Sequence, residues 1–264
     1  MAKIPGETEG GAFENTLDGV VNGPSTYLAD RKSDCTSGFK KRNVNHRFLT
    51  LAFLSFFLAP CCFPAEPATI SLPNPKKTGG TSLEEALAAR RSVRAYTEQT
   101  LTLAEVGQLL WAAQGITSPD GKRTAPSAMH RYPLELAVVA QNVDGLPSGA
   151  YRYVPAKHTL ELLIAAKPGA QLLAGSTSQA QVHSAPVVFV VAAVYERMGS
   201  GANNRTWTDY EAGLASENLL LEAVALKLGA VVTGGIDPAS VKEALKLTAS
   251  EQVIVVIPVG HPAK

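Results

Sequence analysis

Apolar residues recur along this chain in two rhythms. Leu103, Val106, Leu109, Leu110 and Ala113 keep the three- and four-residue spacing of one helix face. Thr102-Leu-Ala-Glu105 in front of them is a capping box and Gly115 is a stop, so a helix is predicted to about Gln114. A second capping box, Ser82-Leu-Glu-Glu85, opens a helix to about Arg91. Elsewhere the apolar residues come in blocks. Leu134–Ala140 reads as a strand, and Val187–Tyr195, behind Pro186, as a central strand buried on both faces. Ala150–Val154 and Leu160–Leu163, split by Pro155-Ala-Lys-His, read as a hairpin, and Val253–Val259 as a last central strand. Gln171–Val182 is expected as a helix. Asp209–Leu228, closed by Gly229, is the longest helix, and it is apolar almost all round, as in a core or a subunit interface. Ser240-Val-Lys-Glu243 caps a short helix. The elements are interspersed without a strict βαβ repeat, which favours an α+β layered fold.

The front of the chain breaks these rhythms. Residues 1–45 are rich in Gly, Asn, Ser and Asp and are read as disordered, or as an extension ahead of a true start near Val44. Residues 46–65 follow a basic stretch with an apolar run, Phe48–Ala59, then Pro60-Cys-Cys-Phe-Pro-Ala65, which is a secretory signal layout. Leu58-Ala-Pro-Cys61 also resembles a lipobox. An exported, periplasmic or envelope-associated protein is therefore expected, with the signal or a lipid anchor as a route to membrane attachment, and a cytoplasmic one if the segment is instead an ordinary buried helix. Residues 66–81 read as a Pro/Gly linker, and residues 82–264 as the folded domain.

Composition narrows the partners. The chain has 264 residues, 45% of them hydrophobic, 18% charged and 6% aromatic, with net charge +1. There is no chain-wide positive field and no broad base-stacking surface, so no nucleic-acid partner is expected. All three cysteines (Cys35, Cys61, Cys62) precede residue 66, so the folded part has no thiol nucleophile and no Cys-ligated metal. Its histidines lack metal-ligand spacing. GxGxxG, GxxxxGK[ST] and, in the folded part, GxSxG are absent.

The chemistry concentrates in four stretches. Arg90-Arg91-Ser92-Val93-Arg94 places three guanidinium groups and a hydroxyl within five residues, a set suited to a phosphate dianion. Taken alone, it reads more readily as solvated arginines complementing a helix dipole. Ala125-Pro-Ser-Ala-Met-His-Arg-Tyr-Pro133 is a turn-prone loop entering a strand. Val232-Thr-Gly-Gly-Ile236 lets backbone approach a flat ligand, and Ile257-Pro-Val-Gly-His-Pro262 ends a strand on a glycine.

In order and spacing these stretches, with Glu211-Ala-Gly-Leu-Ala-Ser-Glu-Asn218, resemble the nitroreductase family, and most of all its SagB-type dehydrogenase branch. The resemblance implies a mainly antiparallel sheet flanked by helices, a homodimer, and FMN at the interface. It implies that Arg90, Arg91, Ser92 and Arg94 hold the phosphate and ribityl chain, with Arg91 the weaker candidate. Pro126, Ser127, Ala128 and Met129 would pack near the flavin ring, Thr233, Gly234 and Gly235 would bring N–H groups to it, and Gly260 and Lys264 would lie near the phosphate. The implied activity is FMN-dependent oxidation and reduction of a small molecule, by hydride transfer through N5 in a ping-pong cycle, with NAD(P)H as a candidate donor. No catalytic residue is assigned: Tyr210, His130 and Glu211 are the residue types that could act as a base, and each reads more readily as an ordinary core or loop residue. A flavin binder without turnover and an exported, membrane-anchored binding protein are the competing readings. Glu217 stands where many members have Gln.

Overall fold

The computed structural model describes residues 68–167 and 171–263. The N-terminal extension, the signal-like segment, all three cysteines and Lys264 lie outside them. The elements are β1 (Thr69–Ser71), α1 (Leu83–Ala89), β2 (Leu101–Thr102), α2 (Leu103–Gln114), β3 (Leu134–Ala140), β4 (Val143–Asp144), β5 (Gly149–Val154), β6 (Thr159–Ala165), α3 (Ala180–Ser184), β7 (Val187–Ala193), α4 (Asn204–Ala225), β8 (Gly229–Ala230), α5 (Pro238–Ala244) and β9 (Gln252–Gly260).

Seven strands form one sheet in the order β1-β6-β5-β3-β7-β9-β8, and every neighbouring pair in it is antiparallel. Strand alternation divides the core in two. Leu134, Leu136 and Val138 of β3 and Phe189 and Val191 of β7 join Val106 and Leu109 of α2 and Ala215 and Leu219 of α4 on one face. Ala137 and Val139, with Val188 and Val190, join Val182 of α3 and Val241 of α5 on the other. Both faces of β7 are covered, which is why its sequence is apolar without alternation. The result is the expected α+β sandwich.

Several boundaries differ from expectation for physical reasons. The predicted helix over 171–182 is confined to Ala180–Ser184. Before it, the Ser176 carbonyl accepts the Asp237 N–H at 2.7 Å, and the Thr177 hydroxyl donates to the Gly235 carbonyl at 2.6 Å. Bonds of this kind tie the chain to the segment entering α5 and compete with helix. α5 is capped by Asp237, which accepts the N–H groups of Ala239 and Ser240, with Pro238 in the first turn, so it starts earlier than a Ser240 cap would allow. α4 begins at Asn204, ahead of the predicted Asp209. It ends not at Gly229 but through Lys227, which takes φ 60° while the Lys227 and Leu228 N–H groups reach back to Val224 and Ala223. Residues 69–71, inside the segment expected as a linker, pair with β6 as its edge strand.

An ion cluster locks the β3–β5–β9 end of the sheet. Arg152 of β5 donates to both carboxylate oxygens of Glu251, at 2.5 and 2.9 Å, and to Glu135 of β3 at 3.3 Å. Thr248 gives Glu251 two more bonds, N–H and O–H, each at 2.7 Å. Burial raises the Glu251 carboxyl, but Arg152 and Thr248 outweigh it and leave the group below its ordinary value.

Candidate functional site

The arginine-rich segment is positioned by strand-like pairing at the edge of the sheet. α1 stops at Ala89, and Arg90 turns extended at φ −55°, ψ 124°. The chain then lies along β8, where Ser92 bridges Ala230 and the Val93 N–H donates to the Ala230 carbonyl at 3.1 Å. Further on, Tyr96 bridges Pro262, and its hydroxyl donates to the carbonyls of Val93 (2.8 Å) and Pro258 (3.0 Å). Two glycines permit this approach. A Cβ on Gly229 would stand 2.6 Å from Val93 Cγ1, and one on Gly260 would stand 2.8 Å from Tyr96 Cγ. Gly260 is thus the buried floor under Tyr96.

The polar side chains of this segment are committed to different degrees. Arg91 donates to the carbonyls of Ala88 (3.0 Å) and Arg90 (2.7 Å), closing the end of α1. Arg90 Nε lies 3.4 Å from Glu217 Oε1, a partly exposed and therefore weak pair. Among the described residues, the Arg94 guanidinium has no ion-pair partner and the Ser92 hydroxyl no hydrogen-bond partner, and both are exposed. Arg90 and Arg91 line a cavity of about 300 Å³ together with Val93, Leu220, Val224 and Lys227. Lys227 was missed by sequence reasoning. Its only signal was a basic residue at the turn closing a helix.

Thr233, Gly234 and Gly235 follow β8. Thr233 exchanges backbone bonds with Val256 of β9 at 2.8 and 3.1 Å. Its hydroxyl is buried with no partner. The N–H groups of Gly234 and Gly235 have no acceptor among the described residues, and a Cβ on Gly234 would meet nothing within 4 Å. Residues 90–96, 229–235 and 260–262 are therefore gathered along the β8–β9 edge. The donors left over there are an unpaired guanidinium, a serine hydroxyl, a buried threonine hydroxyl and two backbone N–H groups. That set suits an anionic phosphate joined to a flat ring with acceptors at its edge.

Pro126, Ser127, Ala128 and Met129 occupy a different place. With Trp207, Tyr210, Glu211 and Leu214 they line a mainly apolar hollow of about 450 Å³. The Ala128 N–H donates to Glu211 Oε1 at 2.7 Å. Burial raises the Glu211 carboxyl, opposed by the Ala128 N–H, the Ser127 hydroxyl and Arg123. Within one chain the two sets line separate cavities, and both touch α4. Arg90 meets it at Glu217 and Ala128 at Glu211, six residues apart, or about 9 Å along the axis. Trp207, Tyr210 and Leu214 form an exposed apolar stripe beside Met129, so the helix expected in a core or a subunit interface is buried on several sides and keeps one open face in the single chain. Trp207 lies outside the helix as predicted from the sequence.

Comparison with known proteins follows this geometry. The model of the nitroreductase family matches residues 87–261. A nitroreductase-like protein of Methanocaldococcus jannaschii is 36% identical over 181 residues, which is 68% of this chain and 90% of the relative. The solved structure of a nitroreductase-like protein from Ralstonia eutropha JMP134 superposes with TM-score 0.66 at 33% identity, covering 75% of this chain and 94% of its own. Another, from Desulfovibrio desulfuricans and solved in complex with FMN, gives TM-score 0.52 at 28% identity, covering 70% and 88%.

Proposed function

The chain belongs to the nitroreductase family of oxidoreductases, and from that premise we propose that it binds FMN and works as a SagB-type, FMN-dependent dehydrogenase. The observation that carries this is the set of uncommitted donors along the β8–β9 edge, above all the unpaired Arg94 beside the free Ser92 hydroxyl. Arg90, Ser92 and Arg94 hold the phosphate and ribityl chain by charge-assisted bonds, with Lys227 adding positive charge. Arg91 contributes less, because its guanidinium already closes α1. The Thr233 hydroxyl and the Gly234 and Gly235 N–H groups face the ring, where donors favour the negative charge that reduction builds. FMN held there would supply two-electron hydride chemistry at N5, between a donor and an acceptor that bind in turn.

The exposed stripe of Trp207, Tyr210 and Leu214, continued by Met129, is covered by a second copy of the chain. In that homodimer Pro126, Ser127, Ala128 and Met129 pack against the flavin of the partner. The signal layout of residues 46–65 puts the domain outside the cytoplasm, in the periplasm or on the envelope. NAD(P)H is scarce there, so a small-molecule substrate, rather than NAD(P)H, is the donor and an external acceptor removes the electrons.

Anaerobic half-reactions test turnover. The flavin-loaded protein is mixed in turn with NADH, NADPH, an azoline-bearing peptide and dithionite. The proposal expects the visible flavin band to bleach with the azoline-bearing peptide, as the small-molecule type of donor, more readily than with NADH or NADPH, and to return when a quinone is added. Bleaching by dithionite alone, with no return on adding the quinone, would mark a flavin binder without turnover.

A further inference from the structure

The loop that the proposed function sets against the flavin is backbone-strained, and one buried side chain holds it. Met129 (φ 54°), His130 (φ 55°) and Tyr132 (φ 46°) all take left-handed backbone, an unfavourable region for residues that carry a Cβ. Such backbone persists only where its surroundings over-determine it. At the far end of the loop, the Arg123 guanidinium lies 4.4 Å from the centre of the Tyr132 ring, and Arg197 donates to the Tyr132 carbonyl at 3.2 Å. At the near end, the Tyr132 N–H donates to Ser127 Oγ at 2.8 Å, and the Ala128 N–H donates to Glu211 Oε1 at 2.7 Å. Glu211 belongs to α4, which runs beneath the hollow, and it is only 5% exposed.

We infer that Glu211 is a positioning residue, whose carboxylate ties the strained loop from Pro126 to Tyr132 to α4 and so sets the wall that meets the flavin. The flavin half of this inference rests on the proposed function; the loop half stands without it. A carboxylate suits the task because it accepts the Ala128 N–H in a charge-assisted bond, whereas an amide oxygen accepts it without the charge. With no ion pair to Glu211 among the described residues, the Ala128 N–H, helped by the more distant charge of Arg123, compensates its burial.

Limited trypsin digestion of the full chain tests the loop half. Arg131 lies in the loop and is exposed, and exposed Arg91 serves as the internal reference. In Glu211→Ala the ratio of cleavage after Arg131 to cleavage after Arg91 is expected to rise on the order of tenfold or more, from the loss of the hydrogen bond to a charged acceptor. Glu211→Gln, which keeps an acceptor oxygen, should fall between that variant and the wild type. If alanine at 211 prevents folding, Glu211→Gln is the variant measured, and loss of the charge on the acceptor of the Ala128 N–H should raise the ratio several-fold. An unchanged ratio in Glu211→Ala, or in Glu211→Gln where that variant is the one measured, would overturn the inference. With FMN bound, Glu211→Ala should also shift the visible flavin bands, and Glu211→Gln should restore most of their position. A wild-type chain that takes up no FMN would remove the proposed function and the flavin half of the inference, while the trypsin ratio would still decide the loop half.

Discussion

Replacing Arg90 and Arg94 together by alanine is expected to lower FMN affinity by about 100-fold or more. Hydrogen bonds to charged groups contribute roughly 1.5–3 kcal/mol each, and about 1.4 kcal/mol is a factor of ten in affinity. Arg94 has no partner to give up when it takes a phosphate oxygen, so nearly all of its interaction is available to the ligand. Arg90 gives up only a weak, partly exposed contact with Glu217. Arg91→Ala is the internal control. Its guanidinium is spent on the Ala88 and Arg90 carbonyls, so the loss should stay below about tenfold, the worth of one neutral-strength bond. Flavin fluorescence quenching at fixed ionic strength measures all three variants. Equal affinity in the double variant and the wild type would remove these arginines from the site.

The second large effect concerns stability. Glu251 is 2% exposed and receives four hydrogen bonds, two from Arg152 and two from Thr248. Glu251→Ala strips Arg152 of its bidentate partner and leaves it only the longer contact with Glu135. Removing one member of a buried pair costs about 3–5 kcal/mol. Because Arg152 keeps some access to water and a second carboxylate, about 3 kcal/mol is expected from urea unfolding at fixed protein concentration. A loss below about 1 kcal/mol, the level of a surface pair, would show that the cluster does not lock the sheet.

Acid should act through the same group. The Glu251 carboxyl sits below its ordinary value in the folded chain. Its contribution is therefore complete above the unfolded value of about 4.3. It is lost as pH falls through the lowered folded value. Glu251→Gln should accordingly flatten the acid limb of the stability curve.

What could be read from the sequence tracks what is encoded locally. β3, β7 and β9 were legible because burial on both faces makes their residues apolar whatever lies next to them. α1 and α2 announced themselves by capping boxes that form as written. β1, β2, β4 and β8 are two or three residues long and exist only through distant partners, so no pattern of their own marks them. The region 171–179 misled because Ser176 and Thr177 are bonded to the chain entering α5. α4 starts without a side-chain cap, which hid Trp207 from the predicted helix.

The site divides in the same way. The arginine cluster and the two-glycine turn were visible as motifs. Their meeting was not, because it depends on Ser92 pairing with Ala230 and Tyr96 with Pro262. Lys227 entered the site by closing a helix in left-handed backbone, a position where glycine is the usual signal. The tie from Glu211 to the Ala128 N–H needs a loop and a helix far apart in sequence, and only the fold brings them together.

The most direct test is the visible absorption spectrum of the purified full-length chain, with mass analysis of whatever chromophore denaturation releases. A yellow protein that releases FMN, close to one molecule per chain, is the expected result. A colourless protein that stays colourless after incubation with FMN and gel filtration would contradict the account at its centre.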